Sequence, residues 1–253
     1  MRFFYSKTNL HKKYHITNAS KFFLGKLMNI SEDRREKWRL RDVLYSYILL
    51  YILIIVLVIT TSFVLKNLDL HLNEIEENVL LKFLNYASLL PAIWFLINRY
   101  PIINKRSLIF FNRDYLKPFI IGIASCGIIS IILILNASGE IVPSMMLIIN
   151  SKGAYHIFFL INLLFVVPFI EELYYRGLVF TILKNRFDFF WGIAITTLLF
   201  SFGHPRSWLN AGILSIIYTL VFEKTNCLLF SILTHSIYNG MAIVSALIIY
   251  YYF

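Results

Sequence analysis

The chain has 253 residues, of which 58% are hydrophobic and only 15% are charged, and its net charge is +10. A soluble domain usually carries about 25% charged residues, so this composition excludes an ordinary soluble protein. It predicts an all-α fold, a polytopic membrane helix bundle of about seven or eight transmembrane helices.

The positive charge is concentrated near the N-terminus, since 11 of the 24 Lys and Arg residues lie within residues 1–42. Topology signals of membrane proteins take this form, and anionic lipid attracts them. We therefore expect no nucleic-acid partner and interpret residues 1–42 as a basic cytoplasmic or interfacial arm. A helix capped by Ser31 is expected to continue from the arm into the first span. No cleavable signal peptide is predicted, because this region has no apolar core.

Seven apolar segments follow the arm and form the predicted transmembrane bundle, residues 43–253. They span about 43–66, 78–98, 117–135, 154–183, 189–204, 208–222 and 226–252. The positive-inside rule places residues 1–42, 98–117, 184–188 and 223–225 in the cytoplasm and the C-terminus outside. Because richness in Ile, Asn, Lys and Phe indicates an AT-rich bacterial genome, we expect a multi-pass protein of the bacterial plasma membrane.

The fifth and sixth predicted spans are short, at about 15 residues each, or ~22 Å at 1.5 Å per residue. Their connection, residues 204–207, is therefore expected at membrane depth, where irregular backbone is tolerated only inside protein or beside a wet cavity. This predicts a water-accessible cavity around His204. The two cysteines, Cys126 and Cys227, lie in apolar segments and are expected to be buried thiols.

Ionisable side chains inside membrane spans are rare and mark candidate functional sites. Here they are Glu171, Glu172, Arg176, His204 and His235, with Asn239 as a strongly polar companion. Counted from the nearest cytoplasmic loops, the acids and both histidines lie about 16–24 Å along their helices. Three helices are thus expected to bring polar groups to a similar depth.

The spacing separates the two adjacent acids. Glu172 and Arg176 are four residues apart, so they share a helix face and are expected to neutralise one another. Glu171 points about 100° away and has no base on its own helix, so it must meet His204, His235 or a cation. A carboxylate placed in this way is typical of a general base.

This set of residues could add water to a carbonyl group. Glu171 would take the proton, and His204 would orient the water or help to bind a metal. His235 and Asn239, also four residues apart, are spaced to donate hydrogen bonds to the developing oxyanion. The sequence has no HExxH motif, which excludes a zincin-type site.

Two groups of neighbouring residues are less specific. Tyr174, Tyr175 and Trp208 could line a substrate groove, although interfacial or core aromatics are the commoner case. A stripe of small residues on the sixth span favours close helix packing. The stripe consists of Ala211, Ser215 and Thr219.

Three motifs together resemble the CPBP family, which includes the CAAX prenyl endopeptidases and the bacterial Abi, or bacteriocin-immunity-type, membrane proteins. They are EExxxR at residues 171–176, FxxxH at residues 200–204 and HxxxN at residues 235–239. The resemblance covers roughly residues 110–250. No family signal is found in the first 110 residues.

The resemblance implies a multi-helix intramembrane endopeptidase with Glu171 as its general base. By position, His204 would act with Glu171 on the water, and His235 and Asn239 would form the oxyanion site. The other motif residues, Glu172, Arg176 and Phe200, would support the structure of the site. Zinc could be held by Glu171, His204 and His235, since catalytic zinc uses three protein ligands and a water; a metal-free mechanism stays open.

The function expected from these features is hydrolysis of a peptide bond in a membrane-associated peptide or protein. The enzyme would be a CAAX protease-like metalloprotease that acts in peptide maturation or bacteriocin self-immunity. One alternative is a non-proteolytic immunity or scaffold protein that binds a bacteriocin or a sensor kinase. A transporter or proton channel is a third reading, which the absence of an internal sequence repeat weakens.

Overall fold

A computed structural model describes residues 39–67, 80, 83–84, 86–100, 113–135 and 154–252. The predicted arm before residue 39, with its Ser31 cap, lies outside the described residues. So do residues 68–79, 101–112 and 136–153. The described helices belong to one compact unit, Leu40–Phe253.

The described secondary structure is entirely helical, and its helices overlap all seven predicted spans. They are α1 (Leu40–Asn67), α2 (Leu89–Arg99), α3 (Leu116–Leu135), α4 (154–186), α5 (Phe189–Phe202), α6 (Trp208–Thr225) and α7 (Leu228–Tyr252). Short 3₁₀ turns, Arg113–Tyr115 and Pro205–Ser207, precede α3 and α6. The all-α prediction is confirmed.

Tight turns connect α4 to α5 and α6 to α7. Asp188 caps α5, because its side chain accepts a hydrogen bond of 3.0 Å from the backbone N–H of Trp191. Asn226 ends α6 in the left-handed conformation, with φ of 47°, as asparagine often does after a helix. These short connections make each pair of helices antiparallel neighbours.

Four helical stretches of the described chain are long and apolar enough to cross a membrane. They are Leu40–Asn67, Arg113–Ile132, His156–Arg186 and Leu228–Tyr250. The predicted membrane helix bundle is confirmed by these stretches, although not every predicted span is a full crossing. With 14 residues, α5 measures only ~21 Å, less than the ~30 Å hydrocarbon core.

The longest helix, α4, lies at the centre of the bundle. In the most apolar stretch of α4, 39% of the residues are buried, compared with 6% in α1. Around it, α3 packs closely on α6 and α7 through Gly122, while Cys126 is buried in a cluster with Leu214 and Tyr218. Both cysteines are buried, as predicted. The central position of α4 means that its polar residues meet neighbours from several helices.

Candidate active site

The helix that carries the two acids is irregular on both sides of them. Two π-helical segments, Asn162–Val166 and Leu173–Phe180, flank the short α-helical turn Val167–Glu172. Such π-helical insertions are rare and are frequent at functional sites. The side chain of Thr181 donates to the carbonyl of Arg176 at 3.0 Å within the second segment.

Proline explains part of the first irregularity. The N–H of Val167 bonds to the carbonyl of Asn162, so the next donor along this π-helical pattern would belong to residue 168. Pro168 has no N–H, which leaves the carbonyl of Leu163 without a backbone donor. The side-chain amide of Asn239 on α7 donates to that carbonyl at 2.8 Å. Asn239 therefore supplies the missing hydrogen bond of α4.

Glu172 is held entirely by protein groups. Its carboxylate accepts hydrogen bonds from Nη1 of Arg176 at 2.9 Å, from Nδ1 of His235 at 3.0 Å and from the hydroxyl of Ser231. The side chains of Glu172 and Arg176 are fully buried. The predicted neutralising pair is present, and the other partners of Glu172, Ser231 and His235, lie on α7.

Arg176 extends the same network to α5 and α6. Its Nη2 donates to the carbonyl and the hydroxyl of Ser215, at 3.1 and 3.0 Å. Its guanidinium lies over the rings of Phe200, at 4.7 Å, and Tyr218, at 5.2 Å. These contacts connect α4 to α5, α6 and α7 around a buried charge pair, whose stability depends on such additional bonds. The buried Nε of Arg176 has no hydrogen-bond partner among the described residues.

Glu171 faces a different environment, a cavity of about 320 Å³. The cavity is lined by Leu50, Tyr51, Ile54, Tyr86, Leu89, Glu171, Tyr175, Phe202, Gly203, His204 and Pro205. The Oε2 atom of Glu171 is buried and has no hydrogen-bond partner among the described residues. Glu171 and His204 thus meet at one cavity, as the sequence predicts.

His204 lies where α5 ends, just before the 3₁₀ turn. Its Nδ1 is 2.9 Å from the carbonyl oxygen of Phe200. A carbonyl oxygen only accepts, so Nδ1 carries the proton and Nε2 of the neutral ring is an acceptor. The ring stacks on Phe200 with centroids 4.6 Å apart. His204 is therefore oriented by its own helix and leaves one nitrogen for water or substrate.

His235 lies behind Glu171 and contacts both acids. Its Nδ1 faces Glu172, while its Nε2 is 3.9 Å from Oε2 of Glu171. With Nδ1 donating to a carboxylate, Nε2 of the neutral ring carries a lone pair and cannot donate to an oxyanion. The ring is held by stacking on Tyr218, with centroids 4.6 Å apart. Its position favours a supporting role beside Glu171.

The four predicted catalytic residues are therefore only partly brought together. Glu171 and His204 line the cavity, whereas His235 and Asn239 do not. Nδ1 of His235 is bonded to Glu172, and one N–H of the Asn239 amide is bonded to Leu163, while the amide has a second N–H. The oxyanion role of His235 and Asn239 stays a prediction.

The predicted zinc ligands do not converge either. Within the described ranges, no three His, Cys, Asp or Glu side chains form a group that could hold a metal ion. The closest approach is that of Glu171 and His235, which supply two candidate ligands 3.9 Å apart. Catalytic zinc uses three protein ligands, so Glu171, His204 and His235 as placed here do not fit the ion.

Helices from the N-terminal half build one wall of the cavity, which the sequence did not reveal. Leu50, Tyr51 and Ile54 belong to α1, and Leu89 belongs to α2. A polar signal for this contact exists on α1. Ser46 shares a hydrogen bond of 3.0 Å with the hydroxyl of Tyr174. A polar residue such as Ser46 in an otherwise apolar span indicates that one face of α1 contacts other parts of the protein.

A comparison with protein-family models supports the assignment of this region. Residues 153–241 match the family described as type II CAAX prenyl endopeptidase Rce1-like. No curated protein matches the chain, and no solved structure matches it. The matched segment contains all three motifs, so the predicted family resemblance is confirmed over this segment. The cavity wall contributed by α1 and α2 lies outside it.

Proposed function

We propose that this protein is an intramembrane endopeptidase that hydrolyses a peptide bond in a membrane-associated peptide or protein. One observation carries the proposal: Glu171 and His204, from different helices, line the same cavity, while the neighbouring acid is bound by protein donors. The match of residues 153–241 to a prenyl endopeptidase family supports this reaction class.

In the proposed reaction, a water molecule lies between the carboxylate of Glu171 and Nε2 of His204. Glu171 takes one proton, and the water oxygen forms a bond to the carbonyl carbon of the substrate. The carbonyl π electrons move to oxygen and give a tetrahedral oxyanion. When the carbonyl re-forms, the C–N bond breaks, and Glu171 returns its proton to the leaving nitrogen. The products are a carboxylic acid and an amine.

The remaining motif residues position this pair. Nε2 of His235 lies 3.9 Å from Oε2 of Glu171, a separation that a water molecule donating to both atoms can bridge. Glu172 fixes the tautomer of His235 by accepting from Nδ1. Arg176 neutralises Glu172, so that the charge available for chemistry lies on Glu171. No step of the proposed reaction passes through a metal ion.

The biological setting that we propose is peptide maturation or bacteriocin self-immunity in a bacterial plasma membrane. The composition supports a bacterial origin, and bacteria contain little prenylated protein. An apolar peptide segment is the substrate type that the cavity favours, because Leu50, Ile54 and Leu89 form its wall.

The test is cleavage by purified protein in liposomes, with peptides from digested membrane proteins as the probe and mass spectrometry as the readout. We expect the wild type to cleave selected peptides. Glu171→Gln and His204→Ala should abolish cleavage when equal amounts of each variant are incorporated into the liposomes. Cleavage by both variants at the wild-type rate would contradict the proposed function. If both variants retain an immunity phenotype without cutting, a non-proteolytic immunity or scaffold protein is the better account.

A further inference from the structure

We infer that the hydroxyl of Tyr175 donates a hydrogen bond to the oxyanion, in addition to any donor from α7, an inference that rests on the proposed function. A peptide hydrolase needs a donor aimed at the place where the negative charge develops. That donor must face the cavity shared by Glu171 and His204. Neither Asn239 nor His235 lines this cavity, and one N–H of the Asn239 amide and Nδ1 of His235 are already bonded, to Leu163 and Glu172.

Tyr175 meets the positional requirement. It lies four residues after Glu171, so both project toward the same side of α4, and both line the cavity. Its hydroxyl lies 3.6 Å from the position that a Cβ atom would take at Gly203, the residue before His204. The phenol oxygen is thus close to the backbone that presents His204 to the cavity.

The neighbouring tyrosines show why this hydroxyl differs. Tyr174 is bonded to Ser46, and Tyr47 donates to the carbonyl of Leu199 at 2.7 Å. The hydroxyl of Tyr175 makes no hydrogen bond to the described part of the chain. A phenol that faces a cavity with its donor unused is available to a substrate oxygen.

The ring of Tyr175 is also held rigidly. It packs edge-on against Tyr174 and Phe200, with centroids 4.9 and 5.0 Å apart, and only 4% of the residue is exposed. A fixed donor in a site with little water stabilises developing charge more than a mobile one. No proton leaves the phenol in this step, because the hydroxyl only donates a hydrogen bond to the oxyanion.

Two other tyrosines line the cavity, and Tyr51 already shares a hydrogen bond of 3.1 Å with Tyr47, which leaves Tyr86 as the main rival. Tyr86 also lines the cavity, but it is on the N-terminal wall and is less buried than Tyr175. Its placement relative to Glu171 is not fixed by a shared helix. The two tyrosines can be separated by removing one hydroxyl at a time.

The experiment compares Tyr175→Phe with the matched control Tyr174→Phe, and includes Tyr86→Phe. The probe is the peptide that the wild type cuts fastest in the liposome assay described above. We expect Tyr175→Phe to lower kcat about 10²–10³-fold, with KM within about twofold of the wild type. Tyr174→Phe should keep kcat within about threefold of the wild type, because its hydroxyl does not face the cavity.

Each contrary outcome has a distinct meaning. Wild-type kcat in Tyr175→Phe overturns the inference, and so does an equal loss of kcat in both Phe variants. A large loss in Tyr86→Phe alone assigns the donor to the other wall and also overturns it. Failure of the proposed function looks different, because Glu171→Gln would then cut peptides as fast as the wild type.

Discussion

Asn239 donates a hydrogen bond of 2.8 Å to the carbonyl oxygen of Leu163, and so connects α7 to α4 at the turn interrupted by Pro168. On a regular α-helix, a histidine and an asparagine four residues apart share one face, so the sequence predicts that both bind the same group. Here His235 turns to Glu172 and Asn239 turns to a backbone carbonyl. The HxxxN motif therefore contributes to the geometry of the acid-bearing helix.

Replacing Asn239 with alanine should destabilise the protein by about 1–3 kcal/mol, because a carbonyl of α4 loses its only donor in this arrangement. Unfolding by denaturant in detergent measures the change. Asn239→Asp should cost at least as much, since a carboxylate cannot donate to a carbonyl. Unchanged stability together with lost cleavage would contradict the bracing role and favour the oxyanion role of the motif.

Exchanging each acid for its amide should separate chemistry from stability. Glu171→Gln is expected to lower kcat about 10²–10⁴-fold with the free energy of unfolding nearly unchanged, because it removes the general base. Glu172→Gln should lower the free energy of unfolding by about 3–5 kcal/mol, because Arg176 would keep a buried charge without its counter-ion. Both variants are assayed for cleavage and for unfolding. If the two variants give the same results in both assays, this division of roles is wrong.

Two glycines of α3 provide a packing test with an internal control. A Cβ atom at Gly122 would lie 2.5 Å from a methyl group of Val221, whereas nothing lies within 4 Å of a Cβ at Gly127. We expect Gly122→Ala to be about 1–3 kcal/mol less stable than Gly127→Ala, since both gain the same helix propensity. Equal thermal stability of the two variants would show that α3 does not pack so closely on α6.

The cavity wall from α1 can be tested by narrowing it. Ile54 lines the cavity, and its neighbour Ile55 is 56% exposed on the outer face. Ile54→Trp should lower kcat/KM at least about tenfold by filling space that the substrate needs, a loss of about 1.4 kcal/mol. Ile55→Trp should have little effect, because tryptophan is accepted on a lipid-facing surface. Full cleavage by both variants would show that the substrate does not need the space beside Ile54.

The helices and part of the site follow directly from the sequence. Apolar run lengths locate the spans, and the four-residue spacing identifies the Glu172–Arg176 pair, which the structure contains. The separate direction of Glu171 follows from the same helical geometry. These features depend on contacts within one helix or on composition, which a single sequence expresses well.

Other parts of the site depend on departures from regular helical geometry and on distant contacts. The π-helical segments of α4 change which carbonyls are free, so the partner of Asn239 could not be read from a spacing of 3.6 residues per turn. The predictions of an oxyanion donor at His235 and of a zinc site depend on how residues of different helices converge, which the spacing within one helix does not determine. The sequence does not distinguish Tyr175 from the other aromatic residues, because aromatic residues are common in membrane helices.

The cavity combines two separate stretches of the chain. The acid and the histidine belong to the family-matched residues 153–241, while Leu50 and Ile54 belong to a helix outside that match. On the proposed function, the walls that select a substrate and the residues that carry out the reaction lie in separate stretches of the chain. We therefore expect substitutions in α1 to change which peptide is cleaved while Glu171 and His204 keep their arrangement.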